Sequence, residues 1–355
     1  MTRELTIDGR RIADDTDCYV IAEIGHNHQG DLDKARQLFQ RAKECGVDAV
    51  KLQKRDNRSL YTSEMYNRPY EHENSFGRTY GDHREFLEFG RSEYVELQKY
   101  ARASGLTFFS TAFDVPSADF LAALDMPAYK LASGDLRNLP LLQHVARFGK
   151  PVIISSGGAT LEDVERAYDA IAEINTQICV LQCTASYPTE PEHMNLRVIE
   201  TFRQRFPSAV IGLSDHYNGI AMAGVAYMLG ARVLEKHFTL NHTWKGTDHA
   251  LSLEPIGMQK MIRDLHRARL ALGDGVKRSL PIESSALVKM GKKIVAARRL
   301  PAGHLLREED LAIKSPGDGL APTELDRVVG SRLTVPLEPD AAVSLEVLEA
   351  AGVKA

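Results

Sequence analysis

Eight short apolar runs, each turning polar at its end and most followed by a helical pattern, constrain this chain more than any other feature. They are CYVIAEIG (18–25), DAVKLQ (48–53), LTFFST (106–111), AYKLAS (128–133), PVIISSG (151–157), QICVLQC (177–183), AVIGLSDH (209–216) and RVLEKHF (232–238). Runs that are apolar on both faces read as strands covered on both sides, and strands separated by helices are parallel with helical crossovers. The segment LDKARQLFQRAKECG shows the helical pattern. Leu32, Ala35, Leu38, Phe39 and Ala42 keep a three-four spacing, Asp31 stands as N-cap and Gly46 ends the helix. GRSEYVELQKYARASG, TLEDVERAYDAIAEI and NLRVIETFRQRF repeat the idea. Eight such units in roughly 270 residues predict a (β/α)8 TIM barrel. An open doubly wound sheet is the alternative, because strand number alone does not prove closure.

One connection breaks the rhythm. KRDNRSLYTSEMYNRPYEHENSFGRTYGDH, after Gln53, is far longer than a routine βα loop and rich in Tyr, His and Asn. Loops of that length are functional or disordered, and this composition points to an ordered lid. After the helix IGMQKMIRDLHRARLALG the style changes to short β-type pieces broken by Pro-Ala-Gly, Pro-Gly-Asp-Gly and Glu-Pro-Asp. The expected organisation is a barrel over 1–275, a linker over 276–290 and a small β-rich domain over 291–355. A net charge of -4 gives no reason to expect a nucleic acid or an anionic membrane as partner. No apolar run reaches bilayer-spanning length, and MTRELTIDGRRIADD carries no signal-peptide core. Cys18, Cys45, Cys179 and Cys183 lack the spacing of a zinc knuckle or a redox dithiol. They read as free buried thiols of a reducing cytoplasm.

In a barrel the C-terminal strand ends form the mouth that holds the chemistry. Here those ends supply Glu23; Lys51 and Gln53; Ser110 and Thr111; Lys130, leading into Ser133, Gly134 and Asp135; Ser155 and Ser156; Thr184 and Tyr187; Ser214, Asp215 and His216; and Glu235, Lys236 and His237. Side chains alternate along a strand. Lys51 with Gln53, and Glu235 with His237, can therefore point into the mouth, while Lys236 points to the helix layer as an ion-pair member. A buried lysine is costly unless paired. Lys51 and Lys130 admit three roles: a structural pair, Glu23 being the obvious partner; a site for an anion carrying both carboxylate and phosphate; or a Schiff base. Two cations among hydroxyls fit the anion best. His216 and His237 end neighbouring strands about 5 Å apart and can converge on one ion. Two nitrogen ligands plus water suit a divalent ion such as manganese, with magnesium or cobalt as alternatives; a zinc site wants a third protein ligand. His26 and His28, in GHNHQGD, read as histidines hydrogen-bonding a folded loop.

Taken in order, AEIGHNHQGD, DAVKLQK, AYKLASGD, PVIISSGG, LQCTASYP, GLSDH, VLEKHF and TWKGTDHALSLEP resemble the sialic acid synthases over nearly the whole chain. The resemblance implies condensation of phosphoenolpyruvate with an N-acylated hexosamine of the N-acetylmannosamine type, and an antifreeze-like C-terminal domain. By position it implies that Lys51, Gln53, Thr111, Lys130, Ser133, Ser155, Tyr187 and Ser214 hold phosphoenolpyruvate. His216 and His237 fall on the metal ligands, and Glu23, Asn74 and Asp248 fall around the acceptor sugar and the metal. Asp135 stands where many bacterial members have glutamate, and the resemblance implies that it handles protons with Glu23. Ala185 replaces an asparagine that some members offer to the phosphate. Bacterial members form a domain-swapped homodimer in which an arginine of the partner's antifreeze-like domain reaches the sugar. The matching position is Ser315, so Lys314 is the expected substitute. The long loop, with Arg58, Arg68, Arg78 and Arg84, resembles the animal-type branch and a 6-phosphorylated acceptor. The SDH motif resembles the bacterial branch and a free sugar. A legionaminic- or pseudaminic-type synthase, a Schiff-base aldolase and a non-catalytic envelope or coat-assembly protein are the competing readings.

Overall fold

The computed structural model describes residues 3–349. Residues 1–2 and 350–355, which the expected domain spans include, lie outside the described residues. The chain divides into two compact units, Met1–Gly273 and Asp274–Ala355.

The first unit opens with a hairpin absent from the sequence reading, β1 (Glu4–Ile7) and β2 (Arg10–Ala13). Asp8 and Gly9 turn it, both at positive φ, as a two-residue Asp-Gly connection requires. Leu5, Ile7 and Ile12 point into the barrel core, and Asp8 accepts a hydrogen bond from Thr107 at 3.2 Å. Each strand has only four residues and a charged outer face, so its apolar pattern is too brief to register.

Eight parallel strands follow: β3 (Tyr19–Gly25), β4 (Ala49–Lys54), β5 (Thr107–Ala112), β6 (Tyr129–Leu131), β7 (Val152–Ser155), β8 (Ile178–Cys183), β9 (Val210–Asp215) and β10 (Val233–His237). They form a closed barrel in chain order, with β10 pairing back onto β3 and His237 opposite Glu23. That last pairing excludes the open sheet. Every residue of β3, β7, β8, β9 and β10 is buried, as strands packed by core on one side and helices on the other must be. The helix Leu32–Cys45 follows the sequence pattern. Asp31 accepts from the Lys34 amide, Gly46 ends the helix at φ 88°, and Ala35, Leu38, Phe39, Ala42 and Cys45 form its buried face.

The long insertion after β4 is ordered into three short helices, Asn57–Leu60, Ser63–Asn67 and Tyr80–Leu87. Asp56, Thr62 and Thr79 cap their first turns. Rings hold the insertion together: Tyr70 meets Tyr80 edge-on at 5.4 Å, and Phe76 stacks on Phe86 at 5.0 Å.

The second unit carries its own small core of Ile294, Ala296, Leu300, Leu306, Val328, Leu333 and Val343. Its antiparallel pair is β11 (Lys293–Ala296) and β12 (Leu311–Lys314). The fully buried Asp310 ties this unit together by pairing with Arg298 at 2.5 Å and His304 at 2.7 Å. The segment expected as linker contains the helix Ser284–Met290. Among the described residues no helix is long and apolar enough to cross a membrane.

Candidate active site

The polar strand ends meet around a cavity of about 280 Å³ at the C-terminal end of the barrel. β3 and β4 contribute Glu23, Lys51 and Gln53, and β5 and β6 contribute Thr111 and Lys130. Ser133, Ser155, Tyr187, Ser214, His216, His237 and Asp248 complete the expected set on its wall.

Charge is concentrated at the floor. The Lys51 ammonium lies 2.5 Å from Glu23 Oε2 and donates to the Thr111 hydroxyl at 2.6 Å. Lys51 is thus both a member of a buried pair, with the partner the sequence suggested, and a cavity residue. Lys130 Nζ donates to the Leu131 carbonyl at 3.2 Å and lies 3.8 Å from Glu235 Oε1. Glu235 turns its other oxygen toward Lys51, also at 3.8 Å. Burial holds the Lys130 ammonium below the ordinary lysine range, against the pull of Glu235. Burial pushes Glu23 up to about 7; Lys51 draws it down and Glu235 opposes Lys51. The buried Ser155 hydroxyl and Glu235 Oε2 have no hydrogen-bond partner among the described residues. Buried polar atoms left in that state mark places where a ligand supplies the missing partner. Ser214 donates to Glu235 at 3.3 Å, and Ser133 accepts from the Gly157 amide at 2.9 Å.

The histidines line the same cavity. Their ring centroids are 5.4 Å apart, and the Tyr187 ring packs 4.1 Å from His216. His216 Nδ1 faces the Thr184 carbonyl at 2.9 Å. A carbonyl only accepts, so the proton sits on Nδ1 and Nε2 keeps its lone pair, the arrangement that orients a metal-ligating imidazole. His237 Nδ1 is buried without a hydrogen-bond partner, 3.8 Å from Asp248 Oδ2. Burial holds His237 below the usual imidazole range, which favours the neutral form a ligand needs. Among the described residues no group of three or more His, Cys, Asp or Glu side chains is placed to hold a metal. The donor set therefore fits a divalent ion held by two imidazoles and completed by oxygen ligands from outside the protein, and does not fit a closed structural zinc site.

Two expected site residues of the first unit are not on this wall. Asn74 turns its carbonyl to the Gly246 amide at 2.9 Å, tying the insertion to the 241–248 loop. Asp135 ends the 3-10 turn Ser133–Asp135, which breaks strand alternation. Ser133 and Gly134 face the cavity, while the Asp135 carboxyl is directed to Asn138 and burial raises it to about 6. Lys314 ends β12 in the second unit and pairs with Asp340. Of the four loop arginines, Arg84 reaches the cavity, Arg58 lies 3.7 Å over the Tyr66 ring, and Arg68 and Arg78 are exposed.

Glu235 is on the wall, sharing the inward face of β10 with His237 as alternation predicts. Sequence reasoning passed over Arg55. Arg55 lies just beyond β4, where alternation no longer predicts direction; it lines the cavity and donates to Gln53 at 2.7 Å. Lys236 points outward and pairs with Asp215 at 2.9 Å, both side chains 0% exposed. His28 stacks on Phe89 at 4.0 Å and its Nδ1 accepts from the Gly30 amide, a loop role as expected. All four cysteines are free and buried.

The comparisons agree with this geometry. Residues 38–277 match the NeuB family and residues 293–349 match the SAF domain. The chain is 40% identical to the N-acetylneuraminate-9-phosphate synthase of Homo sapiens, over 98% of this chain and 97% of that protein. It is 34% identical to the N,N'-diacetyllegionaminic acid synthase of Legionella pneumophila, over 94% of this chain and 95% of that protein. The crystal structure of the N-acetylneuraminic acid (sialic acid) synthetase of Leptospira borgpetersenii superposes with a TM-score of 0.69 at 30% identity, covering 81% of this chain and 95% of that one. The NeuB match covers more than half of the chain and the relatives match over nearly its whole length, so the chain belongs to the NeuB family of sialic acid synthases.

Proposed function

We propose that this chain condenses phosphoenolpyruvate with an N-acylated hexosamine of the N-acetylmannosamine type, releasing phosphate and a nonulosonic acid. The observation that carries the reading is the meeting of Lys51, Lys130 and the unpartnered Ser155 hydroxyl with the His216–His237 pair in one cavity. Phosphoenolpyruvate brings a carboxylate and a phosphate. Lys51 and Lys130 supply compensating charge, while Thr111, Ser133, Ser155 and Ser214 supply directional hydroxyls. C3 of the enol forms the new carbon–carbon bond with the aldehyde of the open-chain sugar. Water adds at C2, and the C2–O bond to phosphate breaks. Glu23, held between Lys51 and Gln53, takes the proton from the incoming water, and Gln53 fixes its orientation through a 2.7 Å hydrogen bond. A divalent ion, manganese by donor type, would be held by His216 and His237 and supply Lewis-acid polarisation of the aldehyde oxygen. Tyr187 and the insertion wall the site from water. The SAF domain is proposed to act as a cap lent by a partner chain in a cytoplasmic homodimer.

The test is turnover. Enzyme, phosphoenolpyruvate, manganese and a panel of hexosamines should release phosphate and give a product of the expected mass. Lys130→Met should raise the KM for phosphoenolpyruvate by roughly 10- to 100-fold, the loss of one charge-assisted interaction. No phosphate release with any acceptor, or an unchanged KM, refutes the reading.

A further inference from the structure

The 2.7 Å hydrogen bond that orients Glu23 comes from an amide, and an amide can face either way. Gln53 carries a donor, Nε2, and an acceptor, Oε1, on one end that rotates with little preference between the two. Turned round, it would show Oε1 to Glu23. That oxygen repels a carboxylate and bonds only to the protonated acid, which has no place for the proton of an incoming water.

Arg55 settles the direction. One of its amino groups donates to Gln53 Oε1 at 2.7 Å, and Gln53 Nε2 donates to Glu23 Oε1 at 2.7 Å. A guanidinium has five donors and no acceptor, so only the Gln53 oxygen can face it. Lys51, 2.5 Å from Glu23 Oε2, is donor-only as well. The carboxylate therefore meets a donor at each oxygen. The junction is tight: a Cβ on Gly25 would lie 3.1 Å from both Gln53 Nε2 and Glu23 Oε1.

The guanidinium is itself held. Arg55 is 7% exposed and lies 3.7 Å over the Phe113 ring. Glu88 accepts from the Arg55 backbone amide at 3.2 Å and brings its other oxygen to 4.0 Å from the second amino group, while Lys54 shares that carboxylate at 3.0 Å. His26 Nε2 faces the same amino group at 3.3 Å. Arg84 and Asp248 line this wall too, and Asp248 offsets the charge of Arg84 and His26. One amino group of Arg55 thus answers the protein around it, and the other is aimed at Gln53.

We infer that Arg55 is a positioning residue for the condensation: because it can only donate, it fixes the direction of the Gln53 amide and so keeps Glu23 presented as acceptor of the water proton. This inference rests on the condensation proposed above, with Glu23 as its base. Arg55 acts through Gln53 and not by binding either substrate.

The experiment measures kcat and both KM values with phosphoenolpyruvate, manganese and the best acceptor of the panel. The proteins are wild type, Arg55→Gln, Arg55→Lys, Gln53→Met and the double variant Arg55→Gln with Gln53→Met, each corrected for its folded fraction by thermal unfolding. Arg55→Gln places a group that can donate or accept, which frees the Gln53 amide to turn. Its kcat should fall roughly 10- to 100-fold, the size expected for one lost hydrogen bond to a charged group, with both KM values nearly unchanged. Arg55→Lys still only donates and should keep most of kcat. In the Gln53→Met background there is no amide to direct, so Arg55→Gln should cost nothing further. Unchanged kcat in Arg55→Gln, equal losses in Arg55→Gln and Arg55→Lys, or additive losses in the double variant overturn the inference while the condensation stands. A raised KM with kcat unchanged would show that Arg55 binds a substrate, and overturns it too. Should Arg55→Gln fail to fold, Arg55→Lys decides, retained kcat supporting the inference and lost kcat refuting it. If wild type releases no phosphate with any acceptor, the underlying reading has failed first and the inference falls with it.

Discussion

At the scale of single residues, Asp135 shows what burial does to a charge just off the cavity wall. Burial raises its carboxyl to about 6 from the ordinary aspartate value of 3.8. An acid whose folded value lies above its unfolded value weakens the fold as it ionises. Its unfavourable contribution is absent below about pH 4, grows between about pH 4 and 6, and is complete above that range. Asp135→Asn should therefore raise the melting temperature at pH 8 and leave it nearly unchanged at pH 4, with a gain of roughly 3 kcal/mol at most. Thermal unfolding across that range checks it; a loss of stability at pH 8 would show that the carboxylate is held by favourable contacts. Parity made most other wall residues legible. Lys51, Gln53 and His237 face inward because alternation on a strand leaves them no other choice. Asp135 and Arg55 lie past the ends of strands, where turn geometry decides direction and no period is left to read.

At the scale of elements, β9 and β10 carry the sharpest division between inside and outside. Lys236 and Asp215 meet at 2.9 Å on the helix-facing side, fully buried, while their neighbours Glu235, Ser214 and His237 face the cavity. Removing one member of such a pair strands a charge without water. Asp215→Ala should cost about 3–5 kcal/mol in denaturant unfolding, and Asp215→Leu combined with Lys236→Met should recover much of that. Equal losses in the single and double variants would mean that packing, not charge, is what the pair provides. The barrel strands were readable because eight apolar runs with helical spacers admit few arrangements; closure was not, since only the β10–β3 pairing proves it. The β1–β2 hairpin escaped notice because four-residue strands carry too few positions to establish a period. The order of the 54–90 insertion rests on ring-to-ring contacts such as Tyr70–Tyr80, which composition suggests and periodicity does not encode.

At the scale of the molecule, two separate hydrophobic cores divide the labour. The barrel core runs from Leu5 to Leu265 and the small core from Ile294 to Leu348. A chain ending at Gly273 keeps the first core whole. It should unfold in a single cooperative transition, and its turnover should fall by orders of magnitude if the SAF domain caps the reacting centre as proposed. Full activity in the truncated chain would remove the cap from the mechanism; failure to fold would show that the second unit supports the first.

The alternation on β10 has one more implication, for how such a protein can change over time. Glu235, Lys236 and His237 are three consecutive letters that alternate between two incompatible destinations. Adding or losing a single residue inside that strand would exchange them, delivering an ammonium where an imidazole belongs and tucking the imidazole beneath the helices. The sheet could still close and the chemistry would be gone. New specificities in this lineage are thus free to arrive through loops of altered length, whereas the staves themselves accept only replacement, letter for letter.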